Sequence, residues 1–356
     1  MREILTHPSA FTPVTFCYCA LKILLISYAF SPSVGGIESA SEVLAAEFVQ
    51  AGHHVILVTK TSGSDGKKRN FEVVRKPGIA KLFSCYRWAD IVFQNNLSLR
   101  LLWPLGVIRK VCFVTTQTWL SGAPDLSNRN SRIKHAVLKR CKNIAISKAV
   151  EQHLGLPSVV LGNPYDASNF RKLAHVKRSG MLLFVGRLVS DKGLDLLLEA
   201  ILRLRAADLR PHLTVVGEGP ERGKCEAFVA CHGLKEQVAF AGEKRGNDLA
   251  ELMNAHHFLV VPSRWAEPFG IVALEAIACG CVVVGSKDGG LKEAIGPCGI
   301  TFQNGSIDSL AESLRLALTQ TDAKDTWTRA ADVHLQQFKS SAVAARYLQL
   351  FATALK

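Results

Sequence analysis

One pattern constrains the fold more than any other. Short β-branched runs alternate with stretches of helical periodicity, and the alternation occurs twice along the 356 residues. Residues 22–27 predict a buried strand. Residues 39–51 predict the helix after it, with Val43, Ala46 and Phe48 among its apolar positions and Gly52 at its end. Strands are predicted at 55–59, 91–94, 111–115, 144–146 and 159–161, with a helix over 97–109. After Asn163 and Pro164 the chain turns polar and basic through Arg171, Lys172, Lys177 and Arg178, which reads as a linker. A second series starts at 181–185 and continues at 213–216, 238–240, 258–261, 282–284 and 300–302. The tail from Ser306 is helical by periodicity.

Strands separated by helices imply parallel sheets with helices on both faces. Two such series imply an α/β protein of two doubly wound domains facing a cleft. Ligands of such sheets bind beyond the carboxyl ends of the strands. The residues to inspect are therefore those in strand-to-helix loops.

Composition narrows the class. With 48% hydrophobic and 21% charged positions the chain has material for two cores, and its 27 Gly and 13 Pro are ordinary usage. Charge is divided unevenly. Up to Arg178 there are 24 Lys and Arg against 10 Asp and Glu, a balance of +14; the remainder has 19 against 20, or −1. The basic half is expected to meet something anionic, such as a phospholipid surface or a phosphorylated acceptor, or else to serve solubility. Ten cysteines, among them Cys17 and Cys19, form no CxxC and no Cys/His group at zinc spacing, so they read as reduced core thiols of a cytoplasmic protein. No apolar stretch is long enough for a membrane span. Residues 1–20 read as an N-terminal extension rather than a cleaved signal.

Four loops carry candidate chemistry. Gly35 and Gly36 precede a helix whose N-terminus favours anions, although a plain turn is the alternative. Gly186-Arg187-Leu188 follows a strand, and Lys192-Gly193 lies five residues on. A forked guanidinium and a mobile ammonium there suit a diphosphate; a salt bridge from Lys192 to Asp191 or Asp195 is the alternative. Val216-Gly217-Glu218-Gly219-Pro220 reads as a tight turn or a ligand loop. Glu267 precedes a helix opened by Pro268, Phe269, Gly270 and Ile271, and Glu275 lies within it among Val272, Ala273, Leu274 and Ala276. A carboxylate in so apolar a helix is costly unless hydrogen-bonded, and ribose or sugar hydroxyls are suitable donors.

Taken together, Gly35-Gly36, Gly186-Arg187-Leu188 with Lys192-Gly193, Val216–Pro220 and the Glu267/Glu275 pair resemble the retaining glycosyltransferases of family 4, the glycosyl transferases group 1 set. The resemblance spans about residues 21–350 and is most specific in the second half. It implies the GT-B fold, with a Rossmann-like acceptor domain at 21–168, a Rossmann-like nucleotide-sugar domain at 169–339, and a last helix at 340–356 crossing back to the first. It implies transfer from a nucleotide sugar to a glycan or lipid-linked acceptor with retained anomeric configuration, without a metal or other cofactor. Arg187 and Lys192 would hold the leaving diphosphate, and Glu267 would contact the transferred sugar. Gly186, Gly217, Phe269, Gly270 and Ile271 would line the donor site, Glu275 would bind ribose, and Gly35 and Gly36 would close over the donor.

The chain departs from the family pattern on the acceptor side. Where many members carry His, this sequence has Asn95-Asn96 after one strand and Thr116, Gln117 and Trp119 after another. Asn95, Thr116, Gln117 and Trp119 are the acceptor-side candidates; none is a useful base near neutral pH. His256 and His257 are neighbours on a predicted strand, so their side chains point to opposite faces and do not make a metal pair. Arg129, Arg132, Lys134, Lys139 and Arg140 flank an apolar stripe, and such a helix suits an anionic membrane at about 1 kcal/mol per basic residue; an ordinary surface helix is the alternative. The expected location is cytoplasmic, peripheral on the inner face of the plasma membrane. The rival readings are a nucleotide-sugar epimerase, for which no acid/base set is visible, and a non-catalytic nucleotide-sugar-binding protein. Nucleic-acid binding is not expected, because no recognition module is present.

Overall fold

The structure, a computed structural model, describes residues 20–33, 35–120 and 129–356, with backbone only at 129–131 and 321–324. Residues 1–19 of the expected extension lie outside it.

Two parallel sheets organise the chain. The first comprises β1 (Lys22–Ile26), β2 (His54–Thr59), β3 (Glu72–Arg75), β4 (Ile91–Asn95), β5 (Val111–Thr116), β6 (Lys142–Ala145) and β7 (Ser158–Val160), in the order β3-β2-β1-β4-β5-β6-β7. The second comprises β8 (Gly180–Val185), β9 (Leu213–Val216), β10 (Val238–Gly242), β11 (His256–Val261), β12 (Val282–Ser286) and β13 (Gly299–Phe302), in the order β10-β9-β8-β11-β12-β13. In each sheet the order reverses beside the first strand, at β1 and at β8. A doubly wound sheet opens its ligand crevice at that point. The loops after β1 and β8 are the ones that carry Gly35-Gly36 and Arg187–Lys192.

The strands are apolar on both faces because helices cover both. Alternate β1 residues enter different cores: Ile23 and Leu25 join Phe48, Tyr347 and Phe351, whereas Leu24 and Ile26 join Leu82, Tyr86 and Leu101. This is the period-2 alternation of a fully buried strand. The last helix, Ser340–Leu355, lies on the Gly36–Gln50 helix and the first sheet. Its Phe351 stacks obliquely on Phe48, Phe93 and Phe113, and Tyr347 Oη is 2.9 Å from Thr115 Oγ1.

Two local expectations differ from what is found. Residues 97–109 form only a short helix, Leu99–Leu102, and a 3-10 turn, Trp103–Gly106. Pro104 has no N–H to give and Gly106 opposes helix growth. Strand β3 and the Ile79–Trp88 helix, whose buried residues are Leu82, Cys85 and Tyr86, were not anticipated.

Candidate active site

The site is built where loops of the second sheet touch through their backbones. Gly217 has φ 139° and approaches Gly186 so closely that a β-carbon would lie 1.9 Å from its carbonyl oxygen. Gly193 has φ 69°, and a β-carbon there would lie 2.0 Å from the Pro262 carbonyl oxygen. Only glycine fits either position. A 3-10 turn, Ser190–Lys192, and then the Leu194–Ala206 helix follow from this contact. The Asp191 carbonyl accepts from the Arg264 amide, which fixes the β8 loop against the β11 loop.

This contact places Lys192 against Glu267: Nζ is 2.6 Å from Oε1, and Ser263 Oγ donates to the same oxygen at 2.6 Å. Asp195 is instead taken by Arg264 through two hydrogen bonds of 2.5 and 2.6 Å. Of the expected alternative partners of Lys192, Asp195 is thus occupied by Arg264, and Lys192 pairs with neither it nor Asp191. Arg187 is exposed and makes no ion pair with a described residue. Glu275, on the Ile271–Ala278 helix, has no hydrogen-bond partner among the described residues. Burial, with the nearby Asp166 adding to it, pushes its carboxyl up to about 7.

These groups face one cleft of about 1630 Å³ between the two sheets. Arg187, Lys192, Glu267 and Glu275 line it from the second lobe, together with Gly186 and Gly217. Phe269, Gly270 and Ile271 form the floor at the start of the Glu275 helix. Gly35, Gly36 and Gln117 line it from the first lobe. A β-carbon on Gly36 would lie 3.3 Å from Ile271 Cδ1, so the two lobes approach closely at this point.

The remaining acceptor-side candidates do not line the cleft. Asn95 and Thr116 are buried behind it, Thr116 with its Oγ1 unpartnered among the described residues. Trp119 holds the lobes together instead, its Nε1 donating to the Ala266 carbonyl at 2.7 Å. Ser147 Oγ likewise donates to the Pro268 carbonyl at 2.7 Å, and Glu293 accepts from the Lys148 amide at 2.9 Å. Sequence reasoning missed Asp65 and Glu42, which also line the cleft and are bridged by Arg69 at 2.5 and 3.0 Å. Glu42 lies on the Gly36–Gln50 helix and Asp65 in the loop after β2, and neither stretch carries a motif. His256 spends both ring nitrogens on Leu252 O (2.7 Å) and Thr214 Oγ1 (2.8 Å). Among the described residues no group of three His, Cys, Asp or Glu is arranged to hold a metal.

Comparison with known proteins bears on the family and the fold. A family profile described as Glycosyl transferases group 1 matches residues 166–334. An uncharacterised glycosyltransferase of Methanocaldococcus jannaschii is 25% identical over 331 residues, which covers 86% of this chain and 91% of that protein. The glycogen synthase of Mycobacterium tuberculosis is 30% identical over 66% of this chain and 59% of its own length. Among solved structures, Anabaena HepE in complex with UDP and glucose superposes with a TM-score of 0.78 at 20% identity, covering 94% of this chain and all of that one. Residues 166–334 are therefore similar to the glycosyl transferases group 1 family, within a two-sheet fold of GT-B type.

Proposed function

We propose that this protein is a retaining glycosyltransferase that takes a sugar from a nucleoside-diphosphate donor bound in the cleft and gives it to a hydroxyl of a glycan or lipid-linked acceptor. One observation carries the reading: an Arg187 and a Glu275 carboxyl with no ion-pair or hydrogen-bond partner among the described residues, and a Lys192–Glu267 pair, face the same interlobe space. The solved Anabaena neighbour, with UDP and glucose bound, supports a nucleotide sugar as the donor.

The chemistry follows from charge. As the bond from the anomeric carbon to phosphate oxygen breaks, negative charge grows on the diphosphate. Fixed cations stabilise that charge most where water is excluded. Arg187 forks onto phosphate oxygens, and Lys192 swings from Glu267 to join it. These two cations do the neutralising in this reading, with no divalent ion. Glu267, released from Lys192, accepts a hydroxyl of the transferred sugar, and the backbone amides at Phe269 and Gly270 assist. Glu275 accepts from the ribose hydroxyls. The departing phosphate oxygen takes the acceptor proton on the same face of the sugar, so configuration is retained. Incubation with a panel of nucleotide sugars, following nucleoside diphosphate release with and without acceptor, tests the reading. Release from one donor supports it; no release from any donor, with or without glycan or lipid-linked acceptors, rejects it and leaves the non-catalytic alternative.

The first-lobe surface favours a peripheral membrane location for this enzyme. Ile79 and Val107 are 72% and 74% exposed, and Trp103, edge-on to Phe83 at 5.1 Å, is 44% exposed. Lys76, Arg87, Arg100 and Arg109, on or beside the same elements, are exposed cations. Exposed apolar groups accompanied by cations suit an anionic bilayer. Flotation with phosphatidylglycerol vesicles at low salt tests this; absence of binding rejects it.

A further inference from the structure

Behind the cleft the first lobe contains a buried chain of amides that no motif announces. Asn95 ends β4 and is fully buried. Its Nδ2 donates to the Ile37 carbonyl at 3.2 Å and to Ser41 Oγ at 2.7 Å. Both acceptors lie in the first turns of the Gly36–Gln50 helix, and Ser41 Oγ is itself 2.9 Å from Ser27 Oγ at the end of β1. On its other side Asn95 Oδ1 accepts from Gln117 Nε2 at 2.7 Å. Gln117 and Asn163 then pair reciprocally: Nε2 donates to Asn163 Oδ1 at 2.8 Å, and Asn163 Nδ2 donates to Gln117 Oε1 at 2.6 Å.

Asn95 thus spends both amide hydrogens on the glycine helix and its oxygen on Gln117. Gln117 spends both of its hydrogens within the chain. Gln117 is therefore committed to neighbours and is not a free acceptor-binding amide. A buried network with every member satisfied rigidifies what it joins. Here it joins four strand ends: β1 through Ser27, β4 through Asn95, β5 through Gln117, and the chain leaving β7 through Asn163, which runs on to the second lobe. The element it grips most closely begins at Gly36, and Gly36 faces Ile271 across the cleft.

We propose that Asn95 is a positioning residue, which sets the Gly35-Gly36 helix start against the second-lobe donor site without touching the substrate. This rests on the cleft being the nucleotide-sugar site. The donor nucleotide is gripped by the second lobe, so loosening the helix start leaves nucleotide binding in place and misplaces the closing glycines. A misplacement of about 1 Å far from the chemistry can cost about 10²-fold in rate.

Asn95→Asp is the sharp test. It keeps the oxygen that accepts from Gln117 and puts an acceptor where two donors were. Ser41→Ala, on the same tether, is the second variant should Asn95→Asp fold poorly. Three readouts are taken on the full chain: hydrogen exchange of the amides of residues 36–41, the Kd of the nucleoside diphosphate released by the wild type, and kcat. The expected result is faster exchange at 36–41, Kd within about threefold of wild type, and kcat lower by about 10²-fold. Unchanged exchange, unchanged kcat, or kcat and nucleotide affinity falling together with global stability would each overturn the proposal. Wild-type protein that turns over no nucleotide sugar would instead defeat the reading of the cleft. Wild-type turnover with a normal Asn95→Asp variant would defeat this inference alone.

Discussion

Glu275→Gln is expected to make the unliganded protein more stable and worse at its task. The Glu275 carboxyl sits on an apolar helix with no hydrogen bond from a described residue, and burial, followed by Asp166, pushes it from 4.5 to about 7. At about 1.4 kcal/mol per pH unit, ionising it in the folded chain costs about 3 kcal/mol more than in the unfolded chain. Because the folded value is the higher one, the favourable contribution is complete below about pH 4.5 and is lost as pH rises through about 7. Glutamine cannot ionise. The variant should therefore match wild type near pH 4.5 and exceed it by up to about 3 kcal/mol at pH 8, or about 2–4 °C per kcal/mol for a lobe of this size. Thermal unfolding of both proteins between pH 4.5 and 8.5, without nucleotide, measures the gap. The same change removes a charged acceptor from the ribose hydroxyls, worth about 1.5–3 kcal/mol, so nucleoside diphosphate affinity should fall by roughly 10–100-fold. A glutamine variant no more stable than wild type at pH 8, or one that binds nucleotide as tightly, would refute the reasoning.

Three further outcomes are expected. Phe351→Ala, which empties the space between Phe48, Phe93 and Phe113, should cost about 3–5 kcal/mol in urea unfolding. Gly193→Ala forces a β-carbon to within 2.0 Å of the Pro262 carbonyl and must part the loops carrying Lys192 and Glu267, so it should lower kcat by at least about 10-fold while circular dichroism stays native. In a timed alkylation followed by mass spectrometry, Cys231, which is exposed, and Cys141, which is half-buried and held below the usual thiol range by its contact with Cys112, should react first. Cys85, Cys225, Cys279, Cys281 and Cys298, which burial pushes up, should react last.

Much of this molecule can be read from periodicity. The two strand series and the helical tail follow from apolar spacing, because buried parallel strands leave continuous β-branched runs. The second-lobe loops of the cleft were legible for a different reason. Gly217 and Gly193 are fixed by steric contact, and a carboxylate such as Glu275 stands out on an apolar helix. The acceptor side was much less legible. Asn95 and Gln117 look like free amides in the sequence, and only the fold shows that they are consumed by Ser41, Ile37 and Asn163, distant in the chain. The partner of Lys192 was likewise hidden, since Asp191 and Asp195 are nearer in sequence than Glu267. The expected 97–109 helix failed because apolar spacing outvoted Pro104 and Gly106.

The central claim concerns Arg187 and Lys192, and steady-state kinetics of Arg187→Ala and Lys192→Ala with the accepted nucleotide sugar tests it most directly. The account predicts a fall in kcat of about 10²–10³-fold in each, larger than the loss in nucleotide affinity. Turnover close to wild type in both variants would contradict it.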